Sequence, residues 1–406
     1  MKRTGTTVIL MLCAGMMMAQ QTFTVQVYNP SKTVRTDEPV VIPLAAYGEV
    51  RSALVTTDGK EIPCQLDDLN HDERFDELCF LADLEKKEKK TYTVTVYQEG
   101  EPRTYPARVY AEMVMGNSKD KKLKKNQQNN YVESITARGD AAYTYNLLHH
   151  HGVAFESELN CIRIYFDKRQ TLDLYGKFKK GLELQTTQFY TDKEQKAQGL
   201  GDDVLWVGNT FGLGAFRGWN GKEPTMIDPV RSRTQRVISY GPLRTIVELF
   251  DRTWKADPDK PTLNMTVRYT QYAGHRDTDV DVFFDRDVTS YLFSTGIINV
   301  KNSVEFSDKK GLRACWGTDW PSSDTVNFKR ETVGLGICIP MKYVKSEEPA
   351  NKDNYAFVVA TDHRHIPYKV IYCSDNETFG YHSAEEWFHF LQEWKQELDK
   401  PIIVKY

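Results

Sequence analysis

The sequence predicts a mainly β protein: a small β-sandwich over residues 20–100, a larger antiparallel sandwich over residues 105–406, and one substantial helix near the C-terminus. Two observations carry this reading. Apolar residues alternate with polar ones in TYTVTVY (Tyr92, Val94, Val96), LNMTVRY (Leu263, Met265, Val267, Tyr269) and DVDVFF (Val280, Val282, Phe284), the pattern of strands with one buried face. Helical spacing stands out once, where Trp387, Phe390, Leu391, Trp394 and Leu398 form one stripe behind the capping box Ser383-Ala384-Glu385-Glu386 and before Pro401. No strand–helix alternation runs through the chain, which argues against a Rossmann fold or a TIM barrel.

Taken in order, the first segment has Lys2-Arg3, an apolar run from Val8 to Ala19, and then Gln20-Gln21. These are the regions of a secretory signal peptide, with cleavage expected after Ala19 and a periplasmic or secreted product. The apolar run is short of the roughly 20 residues a membrane span needs, and the bulky Leu12 before Cys13 disfavours lipidation. The other cysteines, Cys64, Cys79, Cys161, Cys315, Cys338 and Cys373, lie in separate strand-like runs and read as buried free thiols; no CxxC or Cys/His zinc spacing occurs. With 53 Lys+Arg against 56 Asp+Glu and a net charge of −3, the chain has neither a nucleic-acid footprint nor an acidic tail.

The small sandwich contains Asp68-x-Asn70-x-Asp72-x-x-x-Asp76. Oxygen donors at alternate positions of a tight loop suit a structural Ca²⁺. Cys79 stands where an EF-hand has its closing glutamate, and Glu73 where it has glycine, so the alternative is an acidic hairpin held by hydrogen bonds. After the strand-like TYTVTVYQ, a domain boundary is read near residues 98–130. There Lys119, Lys121, Lys122, Lys124 and Lys125 sit in a polar stretch that reads as a solvated loop, with contact to an anionic glycan as the alternative.

The densest chemistry follows. His149, His150 and His151 precede Gly152 and Glu156, and the strands CIRIYF and TLDLYGK carry Arg163, Tyr165, Asp173, Tyr175 and Lys177. Alternation puts Arg163 and Tyr165 on one face of the first strand and Asp173, Tyr175 and Lys177 on one face of the second. Acids, bases and phenols then gather where protons could be moved on a sugar. His151, Glu156, Tyr165 and Tyr175 are the catalytic candidates; His150, Arg163, Asp173 and Lys177 are the substrate-binding ones. Further on, GLGDDVLWVGNTFGLGAFRGWNG has seven glycines among aromatics. Gly212-x-Gly214 lacks the third glycine of a dinucleotide fingerprint and no helix follows, so no nucleotide cofactor is expected. Arg217 and Trp219, beside glycines, are read as surface groups for a sugar, and Trp206 as core.

The opening strand with DLNHDERFDELCF, then HHHGVAFESELNCIRIYFDKRQTLDLYGK, GDDVLWVGNTFGLGAF, YGPLRTIVEL and SAEEWFHFLQEWKQELDKP, resembles the exported family known as DUF4861 over nearly the whole mature chain. The resemblance implies a Bacteroidetes-type polysaccharide-utilisation setting. It also implies that the large domain is a β-supersandwich like that of galactose mutarotase and several polysaccharide lyases. An oligo- or polysaccharide partner follows, with no nucleic acid and no stable membrane span. A lyase on uronate-containing glycan would use Arg163 on the carboxylate, His151 as base and Tyr165 or Tyr175 as acid. A mutarotase or epimerase would use His151 and Glu156; a glycosidase would use two carboxylates such as Glu156 and Asp173; a non-catalytic glycan binder would need only Arg217, Trp219 and a groove.

Overall fold

The computed structural model describes residues 20–116, 124–139 and 142–406. The expected signal peptide, residues 1–19, and Lys119, Lys121 and Lys122 lie outside the described residues. The protein is mainly β, built from antiparallel sheets with one long helix, Ala384–Leu398.

The small sandwich packs a five-stranded sheet, in the order Ile403–Lys405, Gln20–Tyr28, Lys89–Tyr97, Ser52–Thr57 and Lys60–Ile62, on a three-stranded one, Arg35–Pro43, Glu77–Leu84 and Cys64–Asp67. Tyr92, Val94 and Val96 point inward, as their alternation requires, beside Val25, Val40 and Phe80. Sequence spacing counted the last residues with the large sandwich. In the structure they complete the small one, because Val404 pairs with Val27 and packs on its core.

The larger body rests on a nine-stranded sheet running Ser134–Arg138, Ser232–Tyr240, Arg244–Trp254, Leu263–Tyr272, Asp277–Phe284, His365–Ser374, Glu331–Cys338, Leu312–Asp319 and Val304–Ser307. Two five-stranded sheets share its core. One, here called the site sheet, runs Asp202–Asp203, Leu172–Gly176, Cys161–Tyr165, Gly152–Ser157 and Val109–Glu112. The other runs Pro224–Thr225, Arg217–Trp219, Phe293–Ile298, Asn354–Val359 and Val344–Glu347. Met265, Val267, Val280 and Val282 meet Val153, Ile162, Leu172, Phe293 and Phe357 in one apolar cluster. The helix Ala384–Leu398 covers a separate patch of the large sheet, burying Trp387, Leu391 and Trp394 against Leu312, Ala314 and Ile371. Its Ser383 Oγ accepts from Glu386 N at 3.2 Å, while Glu386 reaches back to His382 N, one residue beyond a standard box. All six cysteines of the described chain are buried and free.

The small sandwich is joined to the large sheet by polar contacts in a closed interface. Gln65 Oε1 accepts from Leu243 N and Arg244 N, and its Nε2 donates to Ser239 and Arg244 O. Arg244, 3% exposed, bridges Asp67 and Glu77 at 2.7 Å each. Removing one partner of such a buried pair strands the other charge, so Arg244→Ala should lower unfolding free energy by about 3–5 kcal/mol. Arg103→Ala, whose exposed side chain meets Glu61, should cost no more than about 1 kcal/mol. Urea titration of both variants checks the contrast.

Candidate functional site

The strands Cys161–Tyr165 and Leu172–Gly176 pair antiparallel with Arg163 opposite Asp173. Tyr165 lies opposite Gly152 and Tyr175 opposite Asp203. One face of the site sheet therefore carries Tyr110, Glu112, Glu156, Cys161, Arg163, Tyr165, Asp173, Tyr175 and Asp203, while the other feeds the apolar core. Residues 178–201 fold over part of the polar face as a roof, placing Leu184 and Phe189 on Ala154, Cys161 and Tyr175.

The roof divides the expected site residues into two groups. Glu156 and Lys177 form a 2.6 Å ion pair with neither side chain exposed. Glu156 also accepts from Glu183 N and Leu184 N, and Lys177 donates to Ser157 O. Tyr175 gives its hydroxyl proton to Glu183 at 2.8 Å. His150 stands 2.8 Å from Glu112, both buried. These groups hold the roof and the adjoining loop to the sheet and have no open surface, so the expected catalytic roles of Glu156 and Tyr175, and the binding roles of His150 and Lys177, are corrected to structural ones.

The second group lies past the edge of the roof. Arg163 Nη2 meets Asp173 at 2.6 Å and Asp203 at 2.8 Å, and Nη1 donates to Tyr190 at 3.2 Å. Its guanidinium also lies 4.3 Å from the Phe189 ring centroid. Tyr165 donates to Asp173 at 2.6 Å. Burial, reinforced by the charge of Asp173, pushes the Asp203 carboxyl well above the usual range against the pull of Arg163. Arg163 is thus committed to two carboxylates and is not free to meet a substrate carboxylate, which corrects its expected role.

His151 borders this cluster. Its backbone is left-handed, with φ of 66°, and Gly152 follows where a Cβ would stand 1.7 Å from Ile164 O. Only glycine lets the strand approach so closely, and this fixes where the histidine loop ends. The imidazole stacks on Tyr145 at 4.1 Å and meets the edge of Tyr165 at 6.1 Å. Nδ1 lies 3.0 Å from Tyr145 O. A carbonyl only accepts, so Nδ1 carries the hydrogen and Nε2 keeps its lone pair. Burial, with the charges of Arg163 and Lys125, lowers the imidazole pKa to about 4 despite the Tyr145 hydrogen bond. His149 is held down to about 3 by the same burial and by its neighbour His150.

Several participants were not among the expected site residues. Asp203 sits on a two-residue edge strand with no alternation to flag it. Tyr145 and Tyr190 come from segments without strand pattern. Lys125 falls in the basic stretch read as solvated loop, and its Nζ stands 3.5 Å over the Tyr190 ring with no carboxylate partner among the described residues. The glycine-rich stretch is inverted relative to expectation: Trp206 is 51% exposed and Arg217 only 2%, while Trp219 is half-buried at the edge of the other five-stranded sheet. Neither Arg217 nor Trp219 belongs to the His151 cluster.

In the acidic loop, Asp68 accepts from the main-chain N–H groups of Asn70, His71, Asp72 and Glu73. Asp72 accepts from Arg74 N and Asp76 from Leu69 N, while the side chain of Asn70 is exposed with its residue. Slight burial raises the Asp68 carboxyl, but its four N–H donors outweigh this and hold it below the usual range. Among the described residues no three His, Cys, Asp or Glu side chains converge to hold a metal ion.

No curated protein matches the chain. Among solved structures it is similar to an alpha-mannosidase from Enterococcus faecalis V583, with TM-score 0.48 and 10% identity over 95% of this chain and 46% of that one. A protein in the glycosyl hydrolase family 38 from Enterococcus faecalis gives TM-score 0.48 and 9% identity over 94% and 47%. The chain spans about half the length of these proteins. No described helix is long and apolar enough to cross a membrane. The family model described as a domain of unknown function, DUF4861, matches residues 27–404, and the chain therefore belongs to the DUF4861 family.

Proposed function

We propose that the protein is an exported, carbohydrate-active enzyme that eliminates across a uronate-containing glycan. The observation carrying this reading is a neutral imidazole, His151, with Nε2 open and Nδ1 fixed, beside a cation, Lys125, that forms no ion pair with a carboxylate among the described residues. In this reading His151 Nε2 takes the C5 proton. Lys125 stabilises the negative charge that develops on the uronate carboxylate, and the C4–O bond breaks. The departing oxygen receives a proton from Asp203, whose carboxyl binds a proton more readily because burial raises its pKa. Tyr165, Asp173 and Arg163 position Asp203 and the imidazole rather than touch the reacting atoms.

The test is a panel of uronate glycans read both for the absorbance of a C4–C5 double bond and for new reducing ends. The enzyme should give both signals, and His151→Ala should lower kcat by about 10²–10⁴-fold with little change in melting temperature. Because the imidazole stays neutral down to about pH 4, kcat/KM should remain level through pH 6.5 and fall only near pH 4. Reducing ends without the double bond would mean hydrolysis. Neither signal from any uronate glycan would leave an epimerase or a binder, and either result would overturn the elimination.

A structural Ca²⁺ at Asp68, Asn70, Asp72 and Asp76 is a separate proposal, resting on donor spacing alone. If it holds, calcium should raise the melting temperature by linkage and Asp72→Ala should abolish that rise. If calcium changes nothing while Asp68→Ala destabilises by about 1–2 kcal/mol, the loop is held by its hydrogen bonds to the main chain.

A further inference from the structure

Seven arginines are buried among the described residues: Arg35, Arg163, Arg217, Arg233, Arg244, Arg276 and Arg313. Six of them meet a carboxylate: Glu38, Asp173, Asp251, Asp67, Glu377 and Glu305 respectively. Arg217 is the exception. Its Nη2 donates to Thr171 Oγ1 and Thr210 O at 2.9 Å, and its Nη1 faces Met226 Sδ at 2.9 Å and Lys168 O at 3.5 Å. All four acceptors are neutral, and a thioether is a poor one. A buried charge with no carboxylate in contact is costly, and here burial lowers the guanidinium pKa to about 9 against the more distant charge of Asp167, which Arg169 engages, still leaving it charged at neutral pH.

Arg217 also lines a depression of about 550 Å³. Trp206 stands in the same wall with half its surface open, an apolar plate suited to the face of a pyranose. Exposed Glu223 and Asp353 share the lining; they disfavour a multiply charged anion and leave room for one bearing a single charge. The depression adjoins the His151 cluster through Arg169, whose Nη1 approaches Gly208 O at 3.4 Å and whose guanidinium lies over Tyr145 and Tyr165 at 5.0 and 4.8 Å.

We propose that this depression is a subsite for an acidic sugar, a pyranose whose carboxylate is the counter-ion of Arg217 and whose ring stacks on Trp206. The subsite does not require elimination at His151 and holds equally for an enzyme of another kind or a binder.

Calorimetric titration of the full chain with short oligomers of galacturonate, glucuronate, mannuronate and guluronate, against their neutral counterparts, tests it. At least one uronide should bind about ten-fold or more tightly than its neutral counterpart, the expected effect of a charged hydrogen bond. Trp206→Ala and Arg217→Met should each weaken that uronide by a similar factor, while Arg103→Ala, exposed on the small sandwich, should bind it as the parent does. Trp206 is exposed, so its variant folds; if Arg217→Met does not, the acidic-to-neutral ratio and Trp206→Ala decide alone. Equal affinity for acidic and neutral oligomers, or unchanged binding by Trp206→Ala, overturns the proposal. Sodium acetate binding as tightly as the uronide overturns its sugar component. A silent elimination assay with retained uronide binding sinks the proposed reaction and leaves the subsite standing.

Discussion

A guanidinium shared between two carboxylates is the interaction on which the arrangement of the site depends. Arg163 joins the strand Cys161–Tyr165 to Asp173 on the next strand and Asp203 on the one after, and through Tyr190 and Phe189 to the roof. Two acids around one cation cannot both be fully compensated, and burial raises the pKa of the Asp203 carboxyl against the pull of Arg163. The same cluster holds Tyr165 against Asp173, where its ring edge meets His151.

The same sheet shows how charge is distributed between support and chemistry. Under the roof, Glu156 with Lys177 and Tyr175 with Glu183 close on one another. Beyond it, His151 and Lys125 lack such closure, and across Arg169 so does Arg217. A buried pair of opposite charges adds little net stability compared with apolar packing, yet breaking it is expensive. The closed pairs therefore fix the position of the roof more than they deepen the fold's stability.

The β architecture was legible because strands with one buried face write their period directly into the sequence: Tyr92, Val94 and Val96, or Leu263, Met265 and Val267, are inward in the structure as their spacing demands. That Arg163, Tyr165, Asp173 and Tyr175 share one face of the sheet followed from the same period. Burial of the polar face was not legible, because charged residues at alternate positions read as a wet surface whether solvent or a folded-over segment lies above them. Glu156 and Lys177 were chosen for chemistry on that ground and proved to be covered. Trp206 and Arg217 were misassigned for the converse reason. Glycine-rich turns carry no period, so hydrophobicity assigned the tryptophan to the core and charge assigned the arginine to the surface, whereas the surrounding loops do the opposite.

The pairing of Ile403–Lys405 with Gln20–Tyr28 bears on how the chain is made. The first strand of the small sandwich meets one neighbour, Lys89–Tyr97, early, but its other edge stays bare until Ile403–Lys405 has been made. An uncovered strand edge is a template for wrong partners, and a contact spanning nearly the full chain is among the slowest to form. The small sandwich is thus completed only by residues that lie beyond the whole of the large one in sequence.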